Sequence, residues 1–212
     1  MKGWRVLVTA GGTREPIDSV RYLGNRSSGK MGNAIAVEAA RRGAAVTLVT
    51  TVPGPVEAAV EIVAVETAEE MAEAVWTRAA GMDVVVLAAA VADFRPAEPS
   101  AGKLRRAAGP PELSLETTPD VLAGVAALDP RPFLIGFAAE AGPAEGAADK
   151  ASRVDLLVAN DVTAPGSGFG TDTNRVTLIL PDGSLEAWEL LPKREVASRL
   201  WERVAALRAE AS

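Results

Sequence analysis

This 212-residue chain contains no cysteine and no histidine. Without cysteine there is no disulfide, thiol nucleophile or thiolate-held iron–sulfur cluster. Losing both types also removes the usual zinc ligands and any Ser-His-Asp triad. General acid–base work is left to carboxylates, lysines or the substrate's own groups. A catalytic metal is expected to be a hard cation on oxygen, most simply Mg2+ carried on substrate phosphates. No apolar run approaches the ~18 residues of a membrane span. A strand starts almost at Met1, leaving no room for a signal peptide, so a cytoplasmic protein without membrane contacts is expected. Positive charge is short: 22 Lys and Arg stand against 28 Asp and Glu, for a net charge of −6. Nucleic acids recruit basic surfaces, so they are not expected partners. Hydrophobic residues make up 48% of the chain, enough for a sizeable core. Residues 1–212 are expected to form a single α/β domain.

What is there is organised around residues 5–43. Arg5 to Ala10 is a short apolar, β-branched run, which predicts a buried strand. It breaks at Gly11-Gly12, and a second polar loop runs from Gly24 to Gly29. Gly32, Ile35, Ala36, Ala39, Ala40 and Gly43 then recur at helical spacing on a small apolar face. Ser27 and Ser28 sit where a helix N-cap would. Strand, glycine loops and helix N-terminus together favour an anion, through free N–H groups and the helix dipole. Gly24 to Lys30 matches seven positions of a P-loop, but Met31 replaces the magnesium-binding Ser or Thr and no strand leads into Gly24. A dinucleotide fingerprint also fails, because the first turn reads Gly-Gly-Thr-Arg-Glu-Pro. An ordinary βα connection is the plain alternative. Against it stand Thr13, Arg14, Arg21, Asn25, Arg26, Ser27, Ser28 and Lys30, more phosphate-contacting chemistry than a connection needs.

Further along, strands are expected at Ala45 to Thr51, Val60 to Val65 and Asp83 to Ala90. A helix from Thr67 to Ala80 is opened by a Thr67/Glu70 capping box. This alternation predicts a doubly wound, mostly parallel sheet. Val91 to Pro111 is a long proline-rich stretch with no helical period, of the kind that is often functional. It carries Asp93 at the strand end and a basic knot of Lys103, Arg105 and Arg106, with a solvated charge run as the plain alternative. A short strand at Glu112 to Glu116, a helix from Pro119 to Leu128 and a strand at Phe133 to Ala138 follow. After them come a helix from Ala144 to Arg153, a strand at Asp155 to Ala159 and a glycine-rich loop at 164–174. A hairpin at 175–190 and a final helix, Lys193 to Arg208, close the chain. The polar residues Asp93, Glu140, Asn160 and Asp161 fall at strand ends, where open α/β sheets bind ligands.

Several segments, in order and over nearly the whole chain, carry a resemblance. They are VTAGGTREPIDSVRYLGNRSSGKMG (8–32), AAAVADFRP (88–96), the Lys103-Leu104-Arg105-Arg106 knot, TPDVL (118–122), GFAAE (136–140) and VANDVTAPGSGFGTDTN (158–174). Together they resemble the phosphopantothenoylcysteine synthetases of coenzyme A biosynthesis. In many bacteria that enzyme is the C-terminal half of a protein whose N-terminal half is a flavin-dependent decarboxylase. No such half is present here, so the resemblance implies a stand-alone enzyme or an excised domain. It also implies a Rossmann-like/ribokinase-like sheet with a dimerising extension, for which 164–190, the loop and hairpin, is the candidate.

The implied chemistry uses CTP, with Mg2+. The carboxylate of 4'-phosphopantothenate attacks the α-phosphate, an acyl-cytidylate forms, and pyrophosphate leaves. The amine of L-cysteine then displaces CMP. By resemblance, Asn25 engages the acyl-cytidylate, its amide suited to donate to developing negative charge without a proton transfer. Arg21 and Ala90 match positions near the substrate phosphate or the intermediate. Lys103 matches a lysine on the triphosphate, where its charge would stabilise leaving pyrophosphate. Asp93 matches a CTP-contacting aspartate. Pro119, Asp120, Val121, Leu122 and Phe137 match positions around the nucleotide. Lys150 matches a lysine after GFAAE, and Arg153 stands where the family usually has a second one. A homodimer is implied, with the site completed across the interface by the 91–111 loop or the hairpin. Competing readings are an NAD(P)- or flavin-binding oxidoreductase and a non-catalytic nucleotide-binding module.

Overall fold

A computed structural model describes residues 1–55, 59–140 and 151–210. The chain begins with β1 (Arg5–Ala10), and two short strands follow, β2 (Arg14–Pro16) and β3 (Tyr22–Gly24). Next come α1 (Lys30–Arg41), β4 (Ala45–Thr50), β5 (Glu61–Ala64), α2 (Ala68–Ala79) and β6 (Val84–Leu87). The long middle stretch holds β7 (Phe94–Pro96), a single 3₁₀ turn at Arg106–Ala108, and β8 (Leu115–Thr117). Then follow α3 (Val121–Ala126), β9 (Phe133–Glu140) and β10 (Leu156–Asp161). The last part holds β11 (Thr173–Asn174), β12 (Val176–Ile179), β13 (Leu185–Ala187), β14 (Leu191–Pro192) and α4 (Lys193–Glu210). The helix expected at Ala144 to Arg153 falls mostly outside the described residues.

Eight strands form one sheet in the order β13-β12-β10-β9-β6-β1-β4-β5. The six from β5 to β10 are parallel. Their order is that of a Rossmann sheet, whose two halves diverge from the crevice between the first and fourth strands, here β1 and β6. The sheet is doubly wound as expected. Both faces of the central strands are buried, which explains why Val6, Leu7 and Val8, or Val84, Val85 and Val86, are apolar without alternation. One face is covered by α1 and α4, with Ile35, Leu200 and the fully buried Trp201 at its centre. The other is covered by α2 and α3 through Met71, Val75 and Val125.

Local signals set several boundaries. The Thr67 hydroxyl accepts from Glu70 N–H and Glu70 reaches back to Thr67 N–H, so the capping box is formed. Asp120 caps α3 by accepting from Ala123 N–H at 2.9 Å. The hairpin expected at 175–190 exists, and because β12 pairs antiparallel with β10 it forms an edge of the main sheet. The polar stretch before α1 is not a plain loop: β2 and β3 make a two-stranded ribbon, and β7 and β8 make a second one within 91–117. No helix among the described residues is long and apolar enough to cross a membrane.

Candidate functional site

At the crevice between β1 and β6, the loops leaving the two strands are stitched together. Gly12 and Ala90 form a parallel bridge, Ala90 N–H donates to the Gly11 carbonyl at 2.8 Å, and Thr13 N–H donates to the Ala90 carbonyl at 3.2 Å. Two buried hydroxyls finish the seam: Thr9 accepts from Ala89 N–H at 3.0 Å and Thr13 from Ala92 N–H at 2.9 Å. The Asn25 amide nitrogen, arriving from the end of the β2–β3 ribbon, donates to the carbonyls of Ala90 (3.1 Å) and Val91 (3.2 Å). The backbone at 88–92 is therefore held rigidly at the mouth of the sheet.

The helix N-terminus beside it departs from the expected cap. Gly29, not Ser27 or Ser28, is the N-cap residue, with φ 73° and no side-chain cap. That left-handed backbone is open to glycine at no steric cost. Ser27 Oγ reaches only Gly29 N–H, at 3.5 Å. The first N–H groups of α1 thus face the crevice without a side-chain acceptor, the condition under which a helix start attracts an anion.

A second wall comes from the glycine-rich segment before β11. The buried Lys193, at the start of α4, donates to the carbonyls of Gly168 (3.0 Å) and Thr171 (2.6 Å). Asn174 Oδ1 accepts from Ser167 Oγ at 2.8 Å and Gly168 N–H at 3.2 Å. Lys30 on α1 closes the gap by donating to Asp172 Oδ1 at 2.7 Å and the Gly170 carbonyl at 3.0 Å. Burial, and then the neighbouring Lys30 charge, lower the Lys193 pKa, while Lys30 lowers that of Asp172. Two lysines and a helix start against one carboxylate leave this wall electropositive in an acidic protein.

The space enclosed is a cavity of about 620 Å3, within the roughly 300–1,000 Å3 typical of small-molecule sites. Residues 1–207 match the family model described as DNA/pantothenate metabolism flavoprotein C-terminal domain. The chain belongs to this family. Among its relatives, the coenzyme A biosynthesis bifunctional protein CoaBC of Mycobacterium tuberculosis is 45% identical over 96% of the chain and 52% of the relative. CoaBC of Thermococcus kodakarensis is 46% identical over 96% of the chain and 51% of the relative. The chain spans about half the length of these curated relatives. A crystal structure of the C-terminal domain of CoaBC superposes with TM-score 0.81 at 40% identity, over 99% of this chain and 100% of that one. A Cab2 mutant in complex with phosphopantothenate-cysteine shares the fold, with TM-score 0.77 at 15% identity.

The structure brings most of the sequence-predicted site residues of this family member to the one cavity. Asn25, Ala90, Asp93, Pro119, Asp120, Val121, Leu122, Phe137 and Arg153 all line it. Arg153 donates to Asp120 Oδ2 at 2.9 Å, so the two form one ion pair at the rim. The amide hydrogens of Asn25 serve Ala90 and Val91. Donation to a ligand requires one of those bonds to be given up.

Arg21 and Lys103 do not reach the cavity within this chain. Arg21 is held by Asp18 and the Leu104 carbonyl at the tip of the β2–β3 ribbon, and Lys103 is exposed on the segment packed beside it. Lys150 lies outside the described residues. Sequence reasoning did not single out Lys193, Asn174 or Phe169, which also line the cavity. Only their shared place at strand and helix ends around the glycine-rich loop could have drawn attention to them.

Proposed function

We propose that the chain ligates 4'-phosphopantothenate to L-cysteine, using CTP and passing through an acyl-cytidylate. The reading is carried by the cavity at the β1/β6 crevice. There the uncapped start of α1, Lys30 and Lys193 form an anion-attracting wall. It faces the 88–92 backbone and the part of the cavity lined by Pro119 to Leu122 and Phe137. Membership of a pantothenate-metabolism family and similarity to a coenzyme A biosynthesis protein support the same reaction.

In this reading the triphosphate lies along the α1 start and the base sits toward α3, where backbone groups at 119–122 read it. The acyl carbon is held against Ala90 beside Asn25. Carboxylate attack at the α-phosphate breaks the bond to the β-phosphate oxygen. Amine attack at the acyl carbon then breaks the bond to CMP. Neither step needs an enzyme thiol or imidazole. Among the described residues no three acidic side chains converge. The donor set therefore suits magnesium brought in on the triphosphate rather than caged by protein, with Asp93 at the cavity wall the nearest carboxylate without an assigned partner.

The site is completed in a homodimer, in which a second copy brings Arg21 and Lys103 to the cavity. Support comes from the two ribbons, which touch through β2 and β7 and expose Val20, Tyr22, Leu23, Phe94, Leu113 and Leu115 to solvent. Exposed apolar residues gathered in one region mark association surfaces. The chain works beside a flavin-dependent phosphopantothenoylcysteine decarboxylase, fused or separate; in support, the longer relatives are named bifunctional and the chain spans about half of their length.

The test is pyrophosphate release from the purified protein with 4'-phosphopantothenate, magnesium and either CTP or ATP, with and without cysteine. Release with CTP, followed by CMP and amide once cysteine is added, is expected. Equal use of ATP overturns the nucleotide assignment, and no release with either nucleotide overturns the ligase. A monomer with full activity in sedimentation overturns the shared site.

A further inference from the structure

Asp18 sits in the turn that closes the β2–β3 ribbon, where an aspartate is ordinarily solvated, yet its side chain is fully buried. Its oxygens are fully engaged. Oδ1 accepts from Val20 N–H and Arg21 N–H, both at 2.8 Å. Oδ2 accepts from Arg21 Nε at 3.0 Å, from Arg21 Nη2, and from Leu104 N–H at 3.0 Å. Arg21 Nη2 also donates to the Leu104 carbonyl at 2.9 Å, and Ser100 N–H donates to the Ile17 carbonyl at 3.0 Å.

The first pair of bonds shapes the turn, and the rest do something the turn does not need. They bind both polar groups of the Leu104 peptide, 86 residues away in sequence, to one Asp–Arg unit. Lys103 is the residue immediately before that clamped peptide and is itself exposed. Arg21 and Lys103 are thus the two cations that the resemblance assigns to substrate and that stay outside this chain's cavity. They hang from one buried carboxylate.

We infer that Asp18 is a positioning residue for the proposed ligation: its carboxylate yokes Arg21 to the Leu104 peptide, so that Arg21 and Lys103 are presented to the phosphates as one unit. The inference rests on the ligase reading and on Lys103 acting in the first step. Two guanidinium N–H groups converging on the one oxygen Oδ2 restrain the direction of Arg21 as well as its distance. A loop held in this way loses less freedom when a ligand arrives than a free one does. Asparagine at 18 would turn an NH2 toward the N–H groups of Arg21 or Leu104, donor against donor, while keeping the side chain's size.

The test is a double-mutant cycle on pyrophosphate release with CTP, using Asp18→Asn, Lys103→Ala and the pair. If Asp18 acts through Lys103, the two effects are not additive. Asp18→Asn alone is expected to lower kcat/KM for CTP by about tenfold and Lys103→Ala by about a hundredfold, with the pair within about twofold of Lys103→Ala alone. Trypsin cleavage after Lys103 is expected to speed up in Asp18→Asn. Leu104→Pro removes the N–H that Asp18 accepts, together with the leucine side chain and the freedom of φ at that position. It is expected to reproduce the Asp18→Asn loss and serves if that variant folds poorly.

Wild-type kinetics in Asp18→Asn, or losses that multiply in the pair, overturn the inference while leaving the ligase intact. Undiminished release from Lys103→Ala overturns the role of Lys103 and the inference with it. An inactive wild-type protein overturns the ligase reading itself.

Discussion

Replacing Gly32 with alanine tests how the helix that starts at the cavity is seated. Gly32 lies in the first turn of α1, against the end of β1. A Cβ there would stand 2.6 Å from the Thr9 carbonyl oxygen, 2.6 Å from Ala10 Cβ and 3.0 Å from Ala10 Cα. None of these atoms is the far end of a flexible side chain, so the clash is relieved only by moving α1 off the sheet. Forcing a methyl into a packed interface costs about 1–3 kcal/mol, and backbone neighbours place this site at the upper end. Alanine recovers about 1 kcal/mol of helix propensity over glycine. The net expectation is a loss of about 1–2 kcal/mol, which for a chain of this size lowers Tm by about 2–8 °C. Because the displaced element carries the N–H groups proposed to hold phosphate, KM for CTP should rise as well. Urea and thermal unfolding measure the first effect, and initial rates of pyrophosphate release the second. Gly102 is the control: nothing lies within 4 Å of its added Cβ and its backbone is not left-handed. Alanine there should be neutral or stabilise by up to about 1 kcal/mol through the unfolded chain. An unchanged midpoint in Gly32→Ala, or an equal loss in both variants, would refute the close-packing argument.

Asn25→Ala is expected to release pyrophosphate yet form amide about a hundredfold more slowly, so that acyl-cytidylate accumulates in quenched reactions; normal amide formation would remove Asn25 from the chemistry. Trp201→Phe keeps a ring in the core but loses the bond from Nε1 to the Ile35 carbonyl at 3.0 Å, and urea unfolding should show a loss of about 1–3 kcal/mol. The pH dependence of stability has a defined sign. Arg21 beside Asp18 holds its carboxyl well below the usual carboxylate range, and Lys30 lowers Asp172 in the same sense. The stabilisation is therefore complete above the unfolded value of 3.8 and is lost as pH falls below it. Urea midpoints measured from pH 6 down to pH 2.5 should decline, and Asp18→Asn should flatten the decline.

Where bonding is local, the sequence was a sufficient guide. The Thr67/Glu70 box spans three residues, and both of its bonds form. Strand β1 was bounded correctly because a run buried on both faces must be apolar throughout. The final helix was legible because Val196, Leu200 and Val204 repeat at helical spacing and all are buried. The first ribbon was not legible. Its strands are three residues each, β3 is exposed throughout, and they owe their extended shape to pairing Arg14 with Gly24 across the turn. Gly29 displaced the serines as cap because a left-handed φ at that position is a backbone demand that side-chain preference does not override. The hairpin after β11 read correctly as two strands. Nothing in an alternating pattern names the edge it joins, and pairing with β10 is decided by the rest of the sheet.

Lys193 shows most clearly why a cavity wall escapes sequence reading. A lysine opening a long helix after a proline reads as solvated charge, and its own neighbours give no reason to bury it. The partners that make burial tolerable, the Gly168 and Thr171 carbonyls, lie 25 and 22 residues earlier in a segment with no regular pattern. The buried Lys193 ammonium is bonded to carbonyls, and no carboxylate is within salt-bridge reach of it among the described residues. That charge adds to Lys30 across the mouth of the α1 start, and each disfavours the other until an anion enters between them. The glycine-rich loop is the segment that makes this possible, because its carbonyls converge on Lys193 while its Asp172 holds Lys30. It is therefore part of the proposed phosphate side of the cavity and not merely a connection between β10 and β12. Only the folded arrangement of β1, α1 and α4 brings those parts within reach of one another.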